Sequence, residues 1–137
     1  MTGDAPWVLQ EALYQTLSAD SALTTLLGGV RIYDHVPQGS QYPYVTIGEN
    51  IARDWSTASS SGAEHQLTLH IWSRAAGRKQ AHDIMTVLSN LLHDKSLTLN
   101  AHALVNLRLQ FSEVRRDPDG KTFHGIMRFR AVTEPAA

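Results

Sequence analysis

The chain has 137 residues, a formal charge of −1 and a hydrophobic fraction of 42%. That length suits a single domain over 1–137 with a real core, and the near-zero charge excludes a generic electrostatic grip on nucleic acid. The absence of cysteine excludes disulfides, thiolate nucleophiles and zinc ribbons together.

Met1 to Pro6 shows no basic stretch leading into an apolar run, and no apolar stretch approaches the roughly 20 residues that span a bilayer. The chain therefore reads as soluble, without a membrane partner, and made in the cytoplasm. Pro6 suits a first helical turn, where its missing N–H costs nothing, with Asp4 or Thr2 as the cap. Val8, Leu9, Ala12, Leu13 and Leu17 form one stripe at helical spacing. Ser18 to Asp20 interrupts it. Asp20 or Ser21 then caps a second short turn carrying Leu23, Leu26 and Leu27, closed by Gly28 and Gly29.

Val30 to Asp34 is predicted as a short strand, followed by a loop punctuated by Pro37, Gly39 and Pro43. From Tyr44 the pattern alternates, with Val45, Ile47 and Ile51 on one face and Thr46, Gly48 and Asn50 on the other. Residues 56–62 have no apolar anchor and are predicted as a mobile hairpin tip. The returning strand directs Leu67, Leu69 and Ile71 inward and Gln66, Thr68 and His70 outward.

Gly77 opens the main helix. Its stripe of Ala81, Ile84, Met85, Leu88, Leu91 and Leu92 is amphipathic, each large member contributing about 1.5–3 kcal/mol on burial before entropy is set against it. Two strands follow, one carrying Val105, Leu107, Leu109 and Phe111 inward, the other Phe123, Met127, Phe129 and Ala131. Asp117-Pro118-Asp119-Gly120 lies between them as a turn. Residues 134–137 are predicted as a disordered tail. The fold class is α+β: an antiparallel or mixed sheet of about five strands with helices packed on one face, in the order α-β-β-β-α-β-β.

The histidines do not form a metal site by spacing. His65 and His70 fall on opposite faces of a strand, and His82 and His93 sit about three helical turns, roughly 16 Å, apart. Ser59, Ser60 and Ser61 lie in the predicted tip, where a nucleophile lacks a held base and an oxyanion hole. Gly28-Gly29 lacks the lysine and spacing of a phosphate loop, and turn chemistry explains Asp117 and Asp119. No catalytic, metal or cofactor residues are expected, and no cofactor.

The arginines carry more information. Arg108, Arg128 and Arg130 share the outward parity of the last two strands, Arg115 and Arg116 adjoin the turn, and Arg74, Arg78 and Lys79 flank the main helix. The plain reading is a solvated polar face. The functional one is a subunit interface, where arginine pairs well with carboxylates such as Glu11, Asp34, Glu49, Asp54 and Glu64. Trp55, preceded by Arg53 and Asp54, is either a hairpin clamp or a contact anchor.

Three segments then stand out together: Val30-Arg31-Ile32-Tyr33-Asp34-His35-Val36-Pro37 with Tyr42-Pro43-Tyr44-Val45-Thr46-Ile47-Gly48, His65 through Trp72-Ser73, and Arg116-Asp117-Pro118-Asp119-Gly120 through His124-Gly125. In this order and spacing, over residues 8–134, the chain resembles the tail completion, or tail terminator, proteins of long-tailed phages, prophages and gene transfer agents. The resemblance implies a structural virion protein rather than an enzyme. It would form a homohexameric ring on the finished tail tube, stop its polymerisation and present the surface that joins the head. The implied partners are further copies of itself, the tail tube protein and a head-completion or neck protein, with DNA passing through the lumen without sequence-specific binding. The implied location is the cytoplasm during assembly, then the head–tail junction of the released particle. The family's ring contacts carry no motif, so the expected interface residues rest on the arginine reading: Arg53, Asp54, Trp55, Arg74, Arg78, Arg108, Arg115, Arg116, Arg128 and Arg130. A head-completion adaptor and a small enzyme stand as alternatives.

Overall fold

The protein is described here by a computed structural model covering residues 4–59 and 61–136. Asp4 caps α1 (Ala5–Ser18), its carboxylate accepting from the Trp7 N–H at 2.9 Å, with proline in the first turn. Val8, Leu9, Ala12, Leu13 and Leu17 are buried along its inner side. The segment expected as a short turn is a full helix, α2 (Ser21–Leu27), capped by Asp20 through the Leu23 N–H. Gly28 ends α2 with φ of 82°, a left-handed conformation that a side chain would disfavour.

The strands are β1 (Ile32–Tyr33), β2 (Tyr44–Asp54), β3 (Ala63–Ser73), β4 (His102–Arg116) and β5 (Phe123–Pro135), with α3 (Lys79–Leu92) between β3 and β4. They form one mixed sheet in the order β1-β2-β3-β5-β4, in which β1 is parallel to β2 and every other pair is antiparallel. β1 is shorter than the predicted Val30–Asp34, since only Ile32 and Tyr33 pair with β2. α1, α2 and α3 share one hydrophobic core with the inner sheet face, centred on Phe129, Leu69, Ile71, Ile84 and Leu88. The α+β class and helices on one face are as the sequence pattern predicts.

Four predicted orientations are corrected by β-bulges. One extra residue on β2 between Ile47 and Asn50 inverts the alternation. Asn50 turns inward, donating to the Pro6 carbonyl at 3.2 Å, and Ile51 turns outward at 47% exposure. On β4, Val105 is the extra residue between Leu104 and Asn106, leaving it 53% exposed. Gln110 is the next, so Phe111 pairs with Arg128 on the outer face instead of entering the core. The C-terminal expectation is also corrected: Glu134 and Pro135 pair with Ala103 and His102, and the Ala136 N–H donates to the Ala101 carbonyl at 3.1 Å. Ala137 lies outside the described residues, as does Ser60 of the predicted tip. No described helix is long and apolar enough to cross a membrane.

Candidate assembly surfaces

With all helices on one side, the opposite sheet face lacks a covering layer. Strand register assigns its side chains: Tyr44, Thr46, Ile51 and Arg53 from β2, Glu64, Gln66, Thr68, His70 and Trp72 from β3. β5 adds His124, Ile126, Arg128 and Arg130, and β4 adds Arg108, Phe111, Glu113 and Arg115. A sheet half-covered in this way ordinarily presents polar side chains to water. Here Ile51 at 47%, Phe111 at 39% and Trp55 at 52% exposure sit among the arginines, the residue mixture that marks interface anchors.

Nine of the ten expected interface residues fall into two groups. Arg53, Arg108, Arg115, Arg128 and Arg130 lie on the outer face, with Trp55 at the end of β2. Arg130 donates to Glu64 at 2.7 Å and stands 5.0 Å over the Trp55 ring, which makes Trp55 a clamp inside the subunit while leaving half of it accessible. Arg128 lies 5.0 Å over Phe111, and no carboxylate pairs with it among the described residues. Arg115 pairs with Glu113, and Arg108 approaches Asp94 at 3.7 Å.

Arg74, Arg78 and Arg116 gather separately around the β4–β5 turn. Arg74 lies 4.2 Å over Tyr42 and donates to Thr122, Arg78 lies 5.2 Å over Phe123, and Arg116 donates to the Gly120 carbonyl. The Thr122 hydroxyl and the Lys121 and Thr122 amides all donate to Asp119, holding its carboxyl down to about 2. Asp54 belongs to neither group: it faces the inner side opposite Ala63 and accepts from the Ser56 hydroxyl and amide, which lower its pKa.

Sequence reasoning missed a ladder of rings across the outer face. Tyr33, Tyr42, Tyr44, Trp72, His124 and His70 follow one another, with centroid spacings of 5.8, 5.0, 6.4, 3.9 and 4.9 Å for the contacts Tyr33–Tyr44, Tyr42–Tyr44, Tyr44–Trp72, Trp72–His124 and His70–His124. Trp72 is fixed by donating its indole N–H to Thr46 at 3.2 Å. Burial, with Tyr42 alongside, pushes the Tyr44 hydroxyl up to about 12. The shared outward parity of Tyr44, Thr46, His70, Trp72 and His124 was the available signal, but it becomes a cluster only once β3 is known to pair with both β2 and β5. Among the described residues no three His, Asp or Glu side chains stand where they could hold a metal ion.

These surfaces can be set beside known proteins. The family described as "Tail completion protein gp17" matches residues 11–134. The chain belongs to the tail completion protein gp17 family. Tail completion protein gp17 of Bacillus phage SPP1 is 29% identical over 122 residues, covering 89% of each chain. A chain from the virion of a native gene transfer agent particle superposes with a TM-score of 0.87 at 31% identity, covering 96% of this chain and 99% of that one. The structure of bacteriophage SPP1 gp17 superposes less closely, with a TM-score of 0.61 at 26% identity over 93% of this chain and 89% of that one. As a member of the gp17 family, the protein is a structural component of a phage-like virion rather than an enzyme.

Proposed function

We propose that this protein forms a homohexameric ring that caps the tail tube, ends its polymerisation and joins the tail to the head. The observation that carries the reading is the likeness, over 96% of this chain, to a chain of the gene transfer agent virion. An arginine-rich face with exposed Ile51, Phe111 and Trp55 supports it, because a ring needs head-to-tail contacts that close. In this reading Arg53, Arg108, Arg115, Arg128 and Arg130, with Trp55, meet a neighbouring subunit. Arg74, Arg78 and Arg116 meet the tail tube protein or a head-completion protein, and Asp54 shapes the loop beside Trp55 at the opposite end of the sheet. DNA passes through the lumen without sequence-specific contact, since a strongly basic bore would hold phosphates and stall transit. The subunit is made in the cytoplasm and leaves with the particle.

The test is to delete the gene from its producing strain and measure tail lengths by negative-stain electron microscopy. Overlong, uneven tails without heads are expected. Tails of normal length on intact particles would refute the reading.

A further inference from the structure

The outer side of α1 carries a second pair of exposed aromatic anchors, set beside Glu11 and Asp34, two of the carboxylates available to the interface arginines. Trp7, Glu11 and Tyr14 follow one another at i, i+4 and i+7 on the face turned away from the core. Trp7 is 52% and Tyr14 43% exposed. With Asp34 and Ile47 they line a groove of about 280 Å³. Neither Glu11 nor Asp34 has a hydrogen-bond or ion-pair partner among the described residues. Two aromatic rings beside two unpaired carboxylates form a receptor for a guanidinium, which the rings attract through their faces and the carboxylates through charge.

The complementary group lies at the other side of the molecule. α1 packs against β1 and β2, and the sheet order places β5 and β4 at the far edge. There Arg128 lies over the 39% exposed Phe111 with no carboxylate of its own. The chain cannot fold this pair back onto its own groove, whereas a second copy can present it.

Resting on the ring reading, we propose that the α1 groove of one copy receives the Phe111–Arg128 pair of the next copy. Arg128 enters between Trp7 and Tyr14 to meet Glu11 and Asp34, and Phe111 covers the apolar rim. Donor and acceptor lie on opposite sides of one subunit, so the contact is heterologous and propagates until it closes.

Charge reversal and cross-linking in assembled particles test this contact. Glu11→Arg and Arg128→Glu, each exposed and each checked for an unchanged thermal transition, should lower the yield of joined particles by about tenfold or more. The double variant should recover most of that loss. The chain has no cysteine, so Tyr14→Cys with Phe111→Cys is a clean probe. Oxidation of particles carrying both should give multimers of this chain, and neither single variant should. If both reversals assemble normally and no multimers form, while deletion of the gene still gives overlong tails, the ring reading stands and this contact is wrong. Normal tails after deletion would instead remove the ring reading itself. A Tyr14→Cys cross-link to a different protein would overturn the second copy as occupant.

Discussion

His70 and His124 hold one hydrogen bond between them, His70 Nδ1 to His124 Nε2 at 2.7 Å, across the β3–β5 pair. One ring donates and the other accepts, so double protonation breaks the bond. Burial is the main cause lowering both pKa values, and His70 lowers that of His124 further. Arg128 adds to the effect on His70 and Arg115 to that on His124, while Glu49 opposes it at His70 and Asp117 and Glu113 at His124. His65, bonded to Asn50 and Thr133 inside the sheet, is lowered by burial and by His102.

All three histidines therefore bind protons more readily in the unfolded chain than in the folded one. That difference makes stability rise with pH below the ordinary value of 6.5 and level off above it. The Tm should decline as pH is lowered from about 7 to about 5, and His124→Gln should flatten the decline. Thermal denaturation followed by circular dichroism across that range is the measurement. A Tm indifferent to pH would show that the histidines ionise freely in the folded state.

Leu88 is fully buried where α3 meets the sheet. Leu88→Ala should cost about 2–5 kcal/mol, the transfer and cavity terms for a leucine that its neighbours do not collapse around. Leu88→Asp, which places an unpaired charge in the same position, should not fold. Urea denaturation of the first and the near-ultraviolet circular dichroism of the second decide both.

Gly125 is the point where β5 passes beneath α3. A Cβ there would stand 2.8 Å from Met85 Sδ and 3.2 Å from Ile71 Cβ. The methionine can move, but the β-branched isoleucine is held by its own strand. Gly125→Ala should lower stability by about 1–3 kcal/mol, seen as a reduced urea midpoint. An unchanged midpoint would mean that the helix rides upward at no cost.

Arg130 and Glu64 form the most enclosed ion pair among the described residues, at 2.7 Å with side chains 27% and 23% exposed. Charge-assisted and partly shielded from salt, the pair should show a coupling of about 1 kcal/mol in a double-mutant cycle of Glu64→Gln and Arg130→Met. A coupling indistinguishable from zero at low ionic strength would reduce the pair to a surface contact.

The sequence pattern was most legible where one face alone met the core. α1, β3 and α3 have unbroken stripes, and their buried residues lie on the faces the periodicity selects, although Leu91 of the α3 stripe is only partly buried. Ile51, Val105 and Phe111 read as core because strict alternation was carried through the strand, and a single inserted residue is invisible to that rule. Residues 134–136 read as loose because Glu134 and Pro135 are poor strand formers, yet pairing with the start of β4 overrides that preference. Arg128 and Arg130 were found by parity, since β5 has no bulge to disturb it, and Arg108 because it lies between the two bulges of β4, where Leu107 and Leu109 keep the expected phase. The α1 groove was not found, because Trp7 and Tyr14 fall outside the apolar stripe and acquire a partner wall only when Asp34 and Ile47 are folded beside them.

The bulge at Gln110 divides β4 into two lengths that answer to different demands. Before it, Leu107 and Leu109 are tied to the core through their pairing with Ala131 and Phe129. After it, the alternation restarts in the opposite phase, and Phe111 belongs to the outside. A change at Phe111 or Arg128 can thus remodel what the sheet shows to a neighbour without disturbing the leucines that hold the helices. The two faces become separately adjustable, so a lineage could re-match this surface to a new partner while inheriting the same core unaltered.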